Sequence, residues 1–126
     1  MLGTKVLEER KSKYNGNIRV IRSLGFGTYI QVNNLTQSGG VVEVFWKETL
    51  RKIRKEKIKS VLILGLGGGT VAKLIKRYWP NAKITGVEID PVMVELGVRY
   101  LRLEDSNVKI VIGDAYNYPL GSNSYD

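Results

Sequence analysis

The segment 60–90, SVLILGLGGGTVAKLIKRYWPNAKITGVEID, constrains this chain more than any other. It opens with Val61-Leu62-Ile63-Leu64, an apolar run without alternation and too short for a helix. That is the pattern of a strand buried on both faces of a parallel sheet. Gly65, Gly67, Gly68 and Gly69 follow at once, and a helical spacing of Val71, Leu74, Ile75 and Tyr78 begins near Thr70. A second strand over residues 84–89 then ends among the carboxylates of Glu88 and Asp90. Strand, glycine turn, helix, strand and acid together predict the nucleotide-binding half of a Rossmann-type unit.

Each part has a physical reason. A turn without side chains lets the backbone approach a ligand. The helix start behind it presents unpaired N–H groups and a positive dipole end. An acid at the tip of the neighbouring strand can accept from both hydroxyls of a ribose, and Glu88 is best placed for that. Asp90-Pro91 reads instead as an N-cap followed by proline at the first helical position.

Composition removes whole classes of chemistry. The chain of 126 residues has no Cys and no His, which excludes disulfides, thiolate metal sites and Ser–His or Cys–His hydrolase mechanisms. No metal site is expected. No run approaches the roughly 20 apolar residues of a membrane span, and residues 1–13 lack the apolar core of a signal peptide. A cytoplasmic location is the expectation. The net charge is +8 with a pI near 9.8, which raises nucleic acid as a partner. The excess gathers in RKIRKEKIK, residues 51–59, at a helix C-terminus where cations are favoured anyway, and no aromatic interleaves to stack on bases. Nucleic acid is therefore possible but not favoured.

In chain order, residues 1–17 read as a mobile tail or irregular lead-in, IRVIRS (18–23) and TYIQV (28–32) as strands, and QSGG (37–40) as a break. A helix is predicted from Val41 to about Lys55, with Phe45 and Trp46 as core anchors. A helix from Asp90 and a third buried strand over 108–112 complete the pattern, ending in Gly113-Asp114-Ala115. The expected fold is α/β: a Rossmann-like unit with strand order 3-2-1, preceded by a small β-hairpin or meander. Residues 1–40 form the lead-in and 41–126 the cofactor-binding portion. Right-handed crossovers bring Gly65–Gly69, Glu88 and Asp114 to one sheet edge, where ligands bind in such folds.

VLILGLGGGT, VEIDP and IVIGDA resemble the three cofactor motifs of class I S-adenosylmethionine-dependent transferases, and most of all the spermidine synthase-like aminopropyltransferase group. The segment TQSGGVVEVFWKETL after a β lead-in is similar to what precedes the cofactor fold in that group. The resemblance implies S-adenosylmethionine or its decarboxylated form as cofactor. It implies that Gly65, Gly67 and Gly69 shape the turn under the methionine-derived part, that Glu88 binds the ribose, and that Asp114 with the backbone of Ala115 binds the adenine. Gln37 matches a glutamine near the cofactor. The implied reaction is aminopropyl or methyl transfer to a small-molecule amine or other nucleophile.

Two departures are visible. Where the group carries Tyr-His-Glu, this chain reads Trp46-Lys47-Glu48, and a lysine repels a polyamine cation. The group's catalytic aspartate follows a fourth strand, into which Ser124-Tyr125-Asp126 would lead, so no catalytic residue is assigned. The chain is expected to act as the N-terminal half of a longer transferase, or to complete its sheet by pairing with another copy as a homodimer. Two alternatives stand beside this reading. One is an NAD-binding oxidoreductase half-domain, although Thr70 stands where a G-x-G-x-x-G turn needs glycine. The other is a non-catalytic basic module that binds RNA or a protein partner.

Overall fold

The computed structural model describes residues 3–121 and 125–126. Four antiparallel strands come first: β1 (Thr4–Ser12), β2 (Gly16–Ser23), β3 (Gly27–Val32) and β4 (Leu35–Gly39), paired in sequence order. Helix α1 (Gly40–Arg51) leads to β5 (Ser60–Leu64), α2 (Thr70–Tyr78), β6 (Lys83–Glu88), α3 (Pro91–Leu101) and β7 (Lys109–Ile112). The last three strands form a parallel sheet in the order β5-β6-β7, which is the predicted 3-2-1 arrangement. Among the described residues no helix is long and apolar enough to cross a membrane.

The lead-in is larger than expected. Residues 4–12, read as part of a tail, form a nine-residue strand on β2, with a register shift between Val6 and Glu8. The segment TKVLEERKS is charged because β1 is an edge strand, and charged side chains suit an edge. Gln37, Ser38 and Gly39, read as a break, belong to β4. Small residues there reflect crowding, since a Cβ on Gly39 would stand 2.5 Å from the Thr28 carbonyl oxygen. Between β3 and β4, Asn33 and Asn34 both hold positive φ, the backbone of a tight hairpin turn.

Two apolar clusters flank the chain's midline. One joins Leu50, Ile63, Leu66, Leu74, Ile75 and Ile84, between α2 and one face of the parallel sheet. The other buries Ile18, Val20, Ile30 and Val32 of the antiparallel sheet against Met93 and Leu96 of α3. Val94, on the same helix, packs against the first cluster. Helix α3 is therefore the joint between the two sheets. Its start is as read: Asp90 caps it by accepting from the Val92 N–H at 2.9 Å, and Pro91 follows.

Three further readings are corrected. Helix α1 starts at Gly40 and ends at Arg51, and the residues up to Glu56 continue as turns. Phe45 and Trp46 are not core anchors; they are 71% and 41% exposed, and α1 buries only Gly40 and Leu50. The helical period identified a stripe correctly, but α1 meets the first cluster only through its C-terminal end. Strands β5 and β7, read as doubly buried, are the two edges of a three-stranded sheet, and Leu64 and Ile112 are each more than half exposed. At the head of β5, the Asp126 carboxylate accepts from the Lys59 and Ser60 N–H groups at 2.8 and 3.0 Å, and its own N–H donates to the Ser60 carbonyl. Those bonds hold the Asp126 carboxyl below the usual carboxylate range. Residue Met1 and the residue Ser124 invoked above lie outside the described residues.

Candidate functional site

A cleft of about 480 Å³ runs along β5 from Val61 to the glycine turn, where Glu88 at the end of β6 joins it. Gly65 has φ +82° and a Cβ built on it would meet nothing within 4 Å. Its missing side chain thus serves backbone conformation and leaves the turn open towards the cleft. Gly69 is different: at φ +95° it caps α2, and a Cβ there would lie 2.2 Å from Leu103. Gly69 is a packing position rather than a lining one.

Glu88, at the tip of β6, is 8% exposed and closes the cleft floor. One carboxylate oxygen accepts from the Gly67 N–H at 2.8 Å and the other from the Asp90 N–H at 3.0 Å. The acid is thereby held against the glycine turn in one orientation. Gln37 reaches the same cleft from β4. Four of the candidate residues therefore line or shape one cavity: Gln37, Gly65, Gly67 and Glu88.

Asp114 and Ala115 lie at the neighbouring strand end, outside this lining. The Gly113 N–H donates to the Glu88 carbonyl at 3.0 Å, which keeps the β7 end beside the β6 end. Asp114 is exposed and caps a short 3₁₀ turn, accepting from the Tyr116 N–H at 2.9 Å and from Asn117 Nδ2 at 3.2 Å.

Several site residues carried no signal in the sequence. Ser38 is 2% exposed, and its Oγ accepts from the Gly68 N–H at 2.7 Å. Thr70 Oγ1 accepts from the Gly39 N–H at 2.7 Å. These reciprocal bonds clip β4 to the glycine turn and fix Gln37 beside it. The turn between β1 and β2 is a second wall. Asp90, 1% exposed, accepts from Ser12 Oγ and Asn15 Nδ2, and Asn15 lines the cleft. Single polar residues that bond across 30 or more positions leave no periodic trace, so only the fold reveals them. Trp46 also lines the cleft.

The electrostatics are simple. Glu88 is the only charged residue in the lining, and the N–H groups of Gly67, Gly68 and Gly69 already donate within the chain, to Glu88, Ser38 and the Leu66 carbonyl. The cleft is thus electronegative, with apolar walls from Val42, Leu50, Val71 and Met93.

The chain is 35% identical over 94 residues to an eEF1A lysine and N-terminal methyltransferase homolog of Drosophila pseudoobscura pseudoobscura, an alignment covering 74% of this chain and 14% of that protein. It is 27% identical to a polyamine aminopropyltransferase of Sulfolobus acidocaldarius, over 94% of this chain and 42% of the relative. The fold superimposes on the crystal structure of spermidine synthase from Thermotoga maritima with TM-score 0.71 at 21% identity, over 87% of this chain and 41% of the other. The chain spans less than half the length of each of these proteins. Residues 61–126, which carry the glycine turn, Glu88 and Asp114, match the family described as a methyltransferase domain. With that match over more than half of its length, the chain belongs to the methyltransferase-domain family.

Proposed function

We propose that the cleft is the cofactor site of a transferase that uses a sulfonium donor, S-adenosylmethionine or its decarboxylated form, and that the decarboxylated form is the better fit. The class of donor follows from family membership. The observation that carries the choice is the lining charge: one carboxylate, Glu88, and no cation. A donor that retains its amino-acid carboxylate would find no positive side chain in the lining and no free N–H within the glycine turn, with only the first N–H groups of α2 behind it left to receive the charge. A donor with a sulfonium and an ammonium, and no carboxylate, matches an electronegative cleft.

When bound, such a donor supplies a carbon activated by the neighbouring sulfonium; an acceptor lone pair takes that carbon as the C–S bond breaks to a neutral thioether. The chain's own residues then have a positioning task. Glu88, already fixed by Gly67 and Asp90, presents its carboxylate to ribose hydroxyls. Gln37 and Asn15 offer amide groups from opposite walls, and Trp46 with Val42 and Leu50 excludes water. Asp114 and Ala115 take the adenine at the adjoining strand end. The acceptor is a small-molecule amine, as the name of the aminopropyltransferase relative suggests.

A thermal-shift titration tests this with decarboxylated S-adenosylmethionine, S-adenosylmethionine, methylthioadenosine and NAD. A ligand at a hundredfold excess over its Kd stabilises by about 2.7 kcal/mol. The decarboxylated donor should raise the midpoint most, and Glu88→Ala should remove that shift. A shift by NAD alone, or one that survives in Glu88→Ala, overturns the assignment. A larger shift by S-adenosylmethionine than by its decarboxylated form overturns the charge argument and leaves methyl transfer.

A further inference from the structure

The helical side of the parallel sheet carries two basic depressions. Helix α1 and α2 lie side by side and run the same way. Glu43 pairs with Lys73 at 3.2 Å near their starts, and Trp79 Nε1 donates to the Glu56 carbonyl at 2.9 Å beyond their ends. The turns after α1 are thereby held beside the C-terminal end of α2. Arg51, Lys52, Arg54 and Lys55 surround one shallow depression there. A second depression of about 320 Å³ lies between α2 and the 3₁₀ turn Leu103–Ser106, lined by Lys73, Lys76, Arg77, Arg102, Asp105 and Ser106.

The acids on this face do not neutralise it. Glu48, Glu43 and Asp105 pair with Arg51, Lys73 and Arg102 respectively, and Glu56 and Glu104 are the further acids of these segments, fewer than the cations beside them. Lys52, Arg54, Lys55 and Arg77 are exposed and form no ion pair among the described residues. A favourable helix dipole accounts for Lys76 and Arg77 in the last turn of α2. It does not account for Arg54 and Lys55, which follow the helix, or for Arg102, which precedes the 3₁₀ turn. Cations from three separate segments converge on one surface.

We infer that this face binds the phosphate backbone of a nucleic-acid duplex without reading its sequence. Neither of these two depressions is lined by an aromatic side chain; Tyr78 and Trp79 line a third hollow beside Lys57 and Lys59, but Trp79 is 9% exposed with its Nε1 bonded to the Glu56 carbonyl, so bases find little ring face to stack on. Spaced cations over a shallow, open surface suit the ridge of a duplex backbone, where each contact releases counterions. The cofactor cleft lies along β5 and the glycine turn and shares none of these residues, so the two sites are separable.

Fluorescence anisotropy with a labelled 20-base-pair duplex, as DNA and as RNA, and with a single strand of equal length, tests the assignment. With about five phosphate contacts, affinity should fall roughly 500-fold between 50 and 200 mM salt, from a slope near −0.9 per contact. Replacing Lys52, Arg54, Lys55 and Arg77 by Gln should cost most of the duplex affinity. A control variant with Lys5, Lys11, Lys13 and Arg22 replaced by Gln removes equal charge from the antiparallel sheet and should bind as the parent does. Equal loss in both variants would show a response to net charge alone and overturn the assigned face. Binding that ignores salt, or a single strand bound better than the duplex, would overturn backbone recognition.

Discussion

At the scale of single residues, the site depends on groups that hold the glycine turn rather than on the turn itself. Ser38→Ala leaves the buried Gly68 N–H without its acceptor, at a cost of about 1–3 kcal/mol. Denaturant unfolding should show that loss, and the donor Kd should rise with it because Gln37 and the turn lose their common anchor. Gly97→Ala weighs two opposed effects. Alanine gains about 1 kcal/mol of helix propensity, but the new Cβ would stand 2.6 Å from the Gly68 carbonyl oxygen, a backbone atom that cannot rotate away. Overpacking costs of about 1–3 kcal/mol should win, so the variant should melt lower than the parent. The two tryptophans give a readout of occupancy: Trp46 lines the cleft at 41% exposure, whereas Trp79 is 9% exposed. Donor binding should change the emission of a Trp79→Phe variant and leave that of Trp46→Phe unchanged.

At the scale of elements, β1 is docked on α3 by a charged cluster that no periodicity announces. Glu8 accepts from Arg99 at 2.7 Å and from the Tyr100 hydroxyl at 2.7 Å, and pairs with Arg10 at 3.2 Å; Arg10 and Arg99 both reach Glu95. The Tyr100 hydrogen bond, followed by the Arg99 contact, lowers the Glu8 carboxyl from 4.5 to about 2. Because the unfolded chain protonates Glu8 first, this stabilisation is complete above about pH 4.5 and is lost as pH falls towards about 2. The Tyr100 hydroxyl is correspondingly raised by Glu8, so its share is lost only above pH 10. Acid unfolding of Tyr100→Phe should begin at a higher pH than that of the parent, with lower stability at neutrality.

The strands β2, β3, β5, β6 and β7 and the helices α2 and α3 were legible because apolar spacing, glycine turns and an Asp-Pro cap are local signals. Strand β1 was not, since its charged side chains suit a sheet edge and pair with α3, and neither context is local in the sequence. The apolar stripe of α1 was visible, but spacing could not say that Phe45 faces outward and Trp46 lines the cleft rather than the core.

At the scale of the whole molecule, the order of the parallel strands followed from crossover handedness, and the meeting of Gly65, Gly67 and Glu88 in one cleft followed from that order. In the remaining wall Gln37 was reached only through the family resemblance, and Asn15 and Ser38 were hidden because they arrive from the antiparallel sheet and its first turn. That arrangement has a consequence for how the chain is made. The apolar side of the antiparallel sheet, Ile18, Val20, Ile30 and Val32, is covered by α3 through Met93 and Leu96, with Val92, Tyr100 and Leu101 beside them. On a ribosome the four strands emerge first and stand without a partner until about sixty more residues have been added. During that interval a bare β surface is open to wrong pairing, as unfinished chains generally are. Slowing translation between β4 and α3 should therefore lower the yield of properly folded protein, whereas slowing it after Leu101 should not.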